Sequence, residues 1–308
     1  MQSSGYKNWV LISNPNDYQI NYSVLIGGVL RQSGTIPANG RVTPVFTGVM
    51  GGTVEVNGWN AWGEAVYIMA SQRVLSNGDK SFNEVTGQAD KSLASDYVWP
   101  WYDMTGGARN WVLVANPTKP GDPGAYTVYY EVWIAGTKIR DGGPIAPGGN
   151  ETPTFPGMMG GPVEVRTFSN STHTAAAAAI ASQRSVWGPS FEEVLGDDVA
   201  TLISTYDWTW YDMQSAGARN WVLVATTPGE TDTVTAVVSF TDQASGLPVT
   251  LTHDITPAEK RWTPTFDGKM GGPVNVKAYK QGAPGTPKNV ITSQRVLWNG
   301  YFNEVWGQ

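Results

Sequence analysis

Two stretches of the chain carry residue types that could recognise a ligand. Asp96-Tyr97-Val98-Trp99-Pro100-Trp101-Tyr102-Asp103-Met104 and Tyr206-Asp207-Trp208-Thr209-Trp210-Tyr211-Asp212-Met213 each crowd tryptophan, tyrosine and aspartate together. Aromatic faces stack on the C–H groups of sugars, and a flanking carboxylate accepts hydroxyl hydrogen bonds. Trp99, Trp101, Tyr102 and Asp103, with Trp208, Trp210, Tyr211 and Asp212, therefore form a candidate carbohydrate platform. Trp59 and Trp62, in a segment that varies along the chain, are further candidates. The competing reading is packing between domains, with Asp103 and Asp212 capping backbone groups. Such blocks are too aromatic for flexible linkers.

A second constellation is ionic. Ser71-Gln72-Arg73, Ser182-Gln183-Arg184 and Ser293-Gln294-Arg295 precede Phe82–Val85, Phe191–Val194 and Phe302–Val305. Asn299-Gly300 reads as a two-residue hairpin turn, because both positions tolerate positive φ. Folding about it sets Trp298 opposite Tyr301, Leu297 opposite Phe302 and Arg295 opposite Glu304. Folding about Gly188-Pro189 sets Arg184 opposite Glu193, and about Gly78-Asp79 sets Arg73 opposite Glu84. A cross-strand ion pair is expected in all three hairpins. With Gln72, Gln183 and Gln294 these pairs could hold a sugar. The favoured expectation is structural, since a charge sharing a strand face with Phe and Leu or Val is costly without a partner.

Catalytic signals are sparse. Cysteine is absent, and the two histidines, His173 and His253, sit at non-equivalent places, which argues against a zinc hydrolase. No nucleophile elbow is evident, and the Met-Gly-Gly segments lack the Gly-Lys-Ser/Thr of a phosphate loop. Asp103, Glu192 and Glu193 could supply a glycosidase carboxylate pair. However, adjacent residues of a strand face opposite ways. The stretch Asn77–Glu84 has some oxygen-ligand spacing for Ca²⁺ but lacks a full loop and occurs once. The expectation is a non-enzyme with no cofactor and no metal.

The elements that must position these residues repeat. Asn-Trp-Val-Leu opens at Asn8, Asn110 and Asn220; Thr-Pro-x-Phe follows at Thr43, Thr152 and Thr263; Met-Gly-Gly and a Val-x-Val strand follow at Met50, Met159 and Met270. With the closing hairpins, four ordered blocks occur in three copies. Modules are drawn at residues 1–95, 96–204 and 205–308. Period-2 alternation, as in Tyr126–Ile134 and Thr233–Phe240, predicts strands, and Asp197–Ser204 is the one short helix candidate. The fold class is all-β: three tandem antiparallel sandwiches of Ig-like type. The copies differ in the connections Asn57–Met69, Thr167–Ala181 and Ala278–Thr292. The first also lacks the aromatic block, so its module is either cut from a longer array or completed by another chain.

A net charge of −6 with no basic run disfavours nucleic acid, and no apolar stretch is long enough to span a membrane. The opening Met1–Gly5 has no secretory-leader pattern and reads as a start placed on a mature segment or fragment. Gly160–Val165, Ser293–Leu297 and Phe302–Val305 resemble tandem repeats of secreted and cell-wall-associated bacterial surface proteins. That resemblance implies an extracellular setting and a binding or spacing role. Two functions follow as expectations. One is a multivalent adhesion module for glycans or cell-envelope polymers, gaining avidity from weak sites. The other is a structural envelope or filament subunit that self-associates.

Overall fold

A computed structural model describes residues 7–76, 78 and 80–307. As expected, the molecule is all-β, built of antiparallel sheets packed in pairs. In module 1 the first sheet runs Arg41–Val42, Lys7–Ser13, Met69–Ser76, Ser81–Thr86, and the second runs Val29–Ile36, Ile20–Ile26, Val54–Trp59. Apolar residues at alternate positions, such as Val10 and Ile12 against Ile20, Tyr22 and Val24, meet between the sheets. Modules 2 and 3 repeat this plan around cores of their own.

The first part of each aromatic block is a strand of the second sheet, and the rest forms a separate two-stranded ribbon. Asp96–Trp99 pairs with Val163–Phe168, and Thr205–Trp208 pairs with Val274–Lys280. Tyr102–Asp103 and Tyr211–Asp212 then pair with Met159–Gly160 and Met270–Gly271. Close passage of these chains explains the repeated glycine. A Cβ on Gly161 would lie 2.0 Å from the Pro100 carbonyl oxygen, and one on Gly272 2.3 Å from that of Thr209. In module 1, no strand among the described residues flanks the corresponding outer edge of Val54–Trp59.

Asp197–Ser204 differs from the expected helix. Asp197–Asp198 pairs as a short strand with Val98 and Tyr97, and only Val199–Thr201 turns, as a 3-10 helix. An edge in need of a partner overrides the weak local preference.

Consecutive modules meet through their last strands, in one direction. The Phe191 N–H donates to Ser81 Oγ (2.9 Å), and the Phe302 N–H donates to Ser190 Oγ (2.8 Å). Module 2 also grips module 1 through Lys119–Glu55 (2.7 Å), and Thr53 Oγ1 donates to the Asn116 carbonyl. At the second junction Val98 packs with Leu202, Ala225 and Ile291.

Candidate functional site

The Ser-Gln-Arg motif divides its side chains between two faces, as strand alternation requires. Ser and Arg lie on one face and share a glutamate of the neighbouring strand. Ser71, Ser182 and Ser293 donate to Glu84, Glu193 and Glu304 at 2.6, 2.8 and 2.6 Å. Arg73, Arg184 and Arg295 bind the same carboxylates at 2.7, 2.5 and 2.8 Å, in the directly opposed register. Each guanidinium also lies over the phenylalanine of the same hairpin, Phe82, Phe191 or Phe302, with centroid distances of 4.9, 5.2 and 5.6 Å. Hydrogen bonds from Ser71 and Arg73 hold the Glu84 carboxyl below its ordinary range. These pairs fasten hairpins, and their hydrogen-bonding capacity is largely used within the module.

Gln faces the other way and holds the aromatic block. Gln183 Nε2 donates to the Trp101 carbonyl (2.8 Å) and Gln294 Nε2 to that of Trp210 (2.7 Å). Asn110 and Asn220, whose role the sequence reading missed, accept from the Asp103 and Asp212 N–H groups at 2.9 and 3.0 Å. Their signal was the asparagine that opens every copy.

The block itself is mostly interior. Trp99 is 1% exposed, and Tyr102, Trp208 and Tyr211 are also buried, so the expected stacking platform is corrected for these four. Their polar tips meet backbone: Trp99 Nε1 donates to the Val194 carbonyl, and Tyr102 Oη donates to that of Asn110 while accepting from Phe155 N–H. Burial pushes the Tyr102 and Tyr211 phenols up to about 12. Asp103 and Asp212 cap their own turns, accepting from Thr105 N–H and from the Gln214 and Ser215 N–H groups. Burial opposes charge on Asp212, but those donors outweigh it and hold the carboxyl low.

Trp101 lies beneath Arg261 of module 3, whose Cζ is 3.3 Å from its ring centroid. Trp187 packs on Trp221 and Phe302, at 6.1 and 6.2 Å between centroids. Trp210 is 44% exposed. Trp59 is half-buried at a strand end, whereas Trp62 is 84% exposed on a turn pinned by Asn60.

The glycosidase carboxylates are not brought together as a pair. Glu193 serves Arg184, Asp103 serves its turn, and Glu192 is buried at the second junction beside Glu304. Burial first, and the Glu304 charge second, push Glu192 up to about 9. Of the Ca²⁺ candidate stretch, Asn77 and Asp79 lie outside the described residues; Ser81, Asn83 and Glu84 are engaged with Phe191, Glu193 and Arg73. In module 2, His173 Nδ1 lies 3.1 Å from Glu131 and 3.4 Å from Asp141, a set of potential metal ligands. Lys138 already bridges both carboxylates at 3.1 and 3.0 Å, so an ion there would compete with its ammonium. No family model, curated protein or solved structure matches the chain.

Proposed function

We propose that the chain is a non-catalytic structural subunit of a cell surface, a semi-rigid array that extends by end-to-end self-association. The observation that carries this reading is the match between its outer faces and its own second junction. Trp210 and Trp298 of module 3 occupy the positions of Trp101 and Trp187, and both are exposed, at 44% and 51%. On module 1, Arg41, Trp9 and Phe82 occupy the positions of Arg261, Trp221 and Phe302. Phe82 is 55% exposed where Phe302 is 8% exposed. A head-to-tail contact of this kind repeats, and it builds an open filament wherever its rotation does not close a ring. One partner differs: Tyr301 stands where Ser190 accepts the Phe302 N–H, so a joint between chains lacks that bond. It is therefore weaker than the internal junction. The extracellular setting rests on the repeat resemblance alone.

Sedimentation velocity over a wide concentration range tests the reading. The expected result is a rising sedimentation coefficient, abolished by Trp210→Ala with Trp298→Ala. A chain that stays monomeric at high concentration overturns it. The glycan-binding alternative retains one specific support, Trp62, held outward on its turn. Glycan-array binding lost on Trp62→Ala would favour that alternative.

A further inference from the structure

We propose that the outer edge of Val54–Trp59 in module 1 accepts an extended Tyr-x-Trp segment, from outside residues 7–307, as an added strand. The two sister modules show the seat filled. Asp96–Trp99 lies on Val163–Phe168, and Thr205–Trp208 on Val274–Lys280, and both chain segments are committed to their own modules. An uncovered strand edge is a template for pairing with another chain.

Module 1 keeps the fittings of the seat. Gly87 stands where Gly196 and Gly307 stand, after the closing strand of each module. A Cβ on Gly196 would meet Trp99 at 2.6 Å and one on Gly307 would meet Trp208 at 2.8 Å, so there glycine makes way for the indole. At Gly87 the nearest atoms among the described residues all belong to Ala70, the closest being its carbonyl oxygen at 3.3 Å. Gln72 and Asn8 match the Gln and Asn that hold the block elsewhere, and here Gln72 Nε2 donates to Asn8 Oδ1 (3.1 Å). The Ile68 and Val85 carbonyls correspond to those of Ala179 and Val194, which accept from Tyr97 Oη and Trp99 Nε1 at 2.7 and 3.2 Å.

The apolar surroundings are also open in the matching pattern. Val54 and Val56 are half-buried, whereas Val163, Val165, Val274 and Val276 are buried. At the second junction the middle residue of the strand, Val98, packs on Leu202, Ala225 and Ile291. Leu93 and, in module 2, Ala115 and Ile180 stand at those positions, all three only half-buried. The incoming segment would therefore set its Tyr and Trp into module 1 and its middle residue against module 2. The edge adjoins module 2, so this inference does not rest on end-to-end assembly.

The test uses the full chain and a labelled synthetic peptide with the sequence of residues 95–104. Fluorescence anisotropy should give saturable one-to-one binding, and hydrogen exchange should show residues 54–57 newly protected. A peptide with Tyr97→Ala and Trp99→Ala, or the chain with Ile180→Lys at its half-exposed position, should bind at least about tenfold more weakly. Circular dichroism of the Ile180→Lys chain checks that it is folded. Absence of binding overturns the inference, as does binding indifferent to both changes. Binding that appears only after deletion of residues 1–6 also overturns it, because the chain's own start would then be the occupant.

Discussion

Glu192 is the residue whose chemistry departs furthest from its type. Modules 1 and 3 place Asn83 and Asn303 at that position, and Asn83 Nδ2 donates to the Glu193 carbonyl across the first junction. Glu192, 4% exposed, faces Glu304 and Arg295 across the second. It holds its proton in the folded state up to about pH 9, against an ordinary value of 4.5 once unfolded. Between those values the unfolded state binds fewer protons, so each step up in pH favours unfolding. Glu192→Asn should flatten this slope, most clearly above pH 7 where the raised Asp96 and Asp197 no longer contribute, and stabilise the protein by roughly 1–3 kcal/mol near neutral pH. Urea denaturation at several pH values between 5 and 9 measures both effects. An unchanged slope would mean that another group sets it.

At the scale of elements, the hairpins were legible because turn chemistry and two-residue alternation fix register together. Asn299 and Gly300 both have positive φ, and Arg295 falls opposite Glu304 as counting outward from that turn requires. The three ion pairs differ in exposure, and their energetic weight should follow it. Side chains are 33% and 32% exposed in Arg73–Glu84, 15% each in Arg184–Glu193, and 15% and 5% in Arg295–Glu304. Replacing arginine by methionine should cost under ~1 kcal/mol at Arg73 but about 2–4 kcal/mol at Arg295, with Arg184 between. Chemical denaturation of the three variants reads this order directly. The aromatic blocks were less legible. Composition marks tryptophan and tyrosine equally well for a surface platform and for a core, and only long-range pairing with Val163–Phe168 or Val274–Lys280 decides between them. The roles of Gln183 and Asn110 were hidden for the same reason, since each holds backbone distant in sequence or across a turn.

At the scale of the molecule, three modules joined in one direction make an array whose junctions are not equal. The first relies on Lys119–Glu55 and the Ser81 hydrogen bond, while the second adds Trp187, Trp101 and the Val98 cluster. Trp187→Ala should therefore loosen module 3 from module 2 without unfolding either, splitting one calorimetric transition into two. A single unsplit transition would show that the indole adds little to coupling. The pairing of each aromatic strand also bears on how the protein is made. Asp96–Trp99 opens module 2, yet its partner Val163–Phe168 lies about two-thirds of the way through that module, and Arg109–Ala115 waits longer still for Ile180–Trp187. On the ribosome, Tyr97 and Trp99 emerge early and stay wet until the far strand arrives. Folding of each module is thus deferred until its own last third has been synthesised, and the nascent chain must be sheltered during that interval.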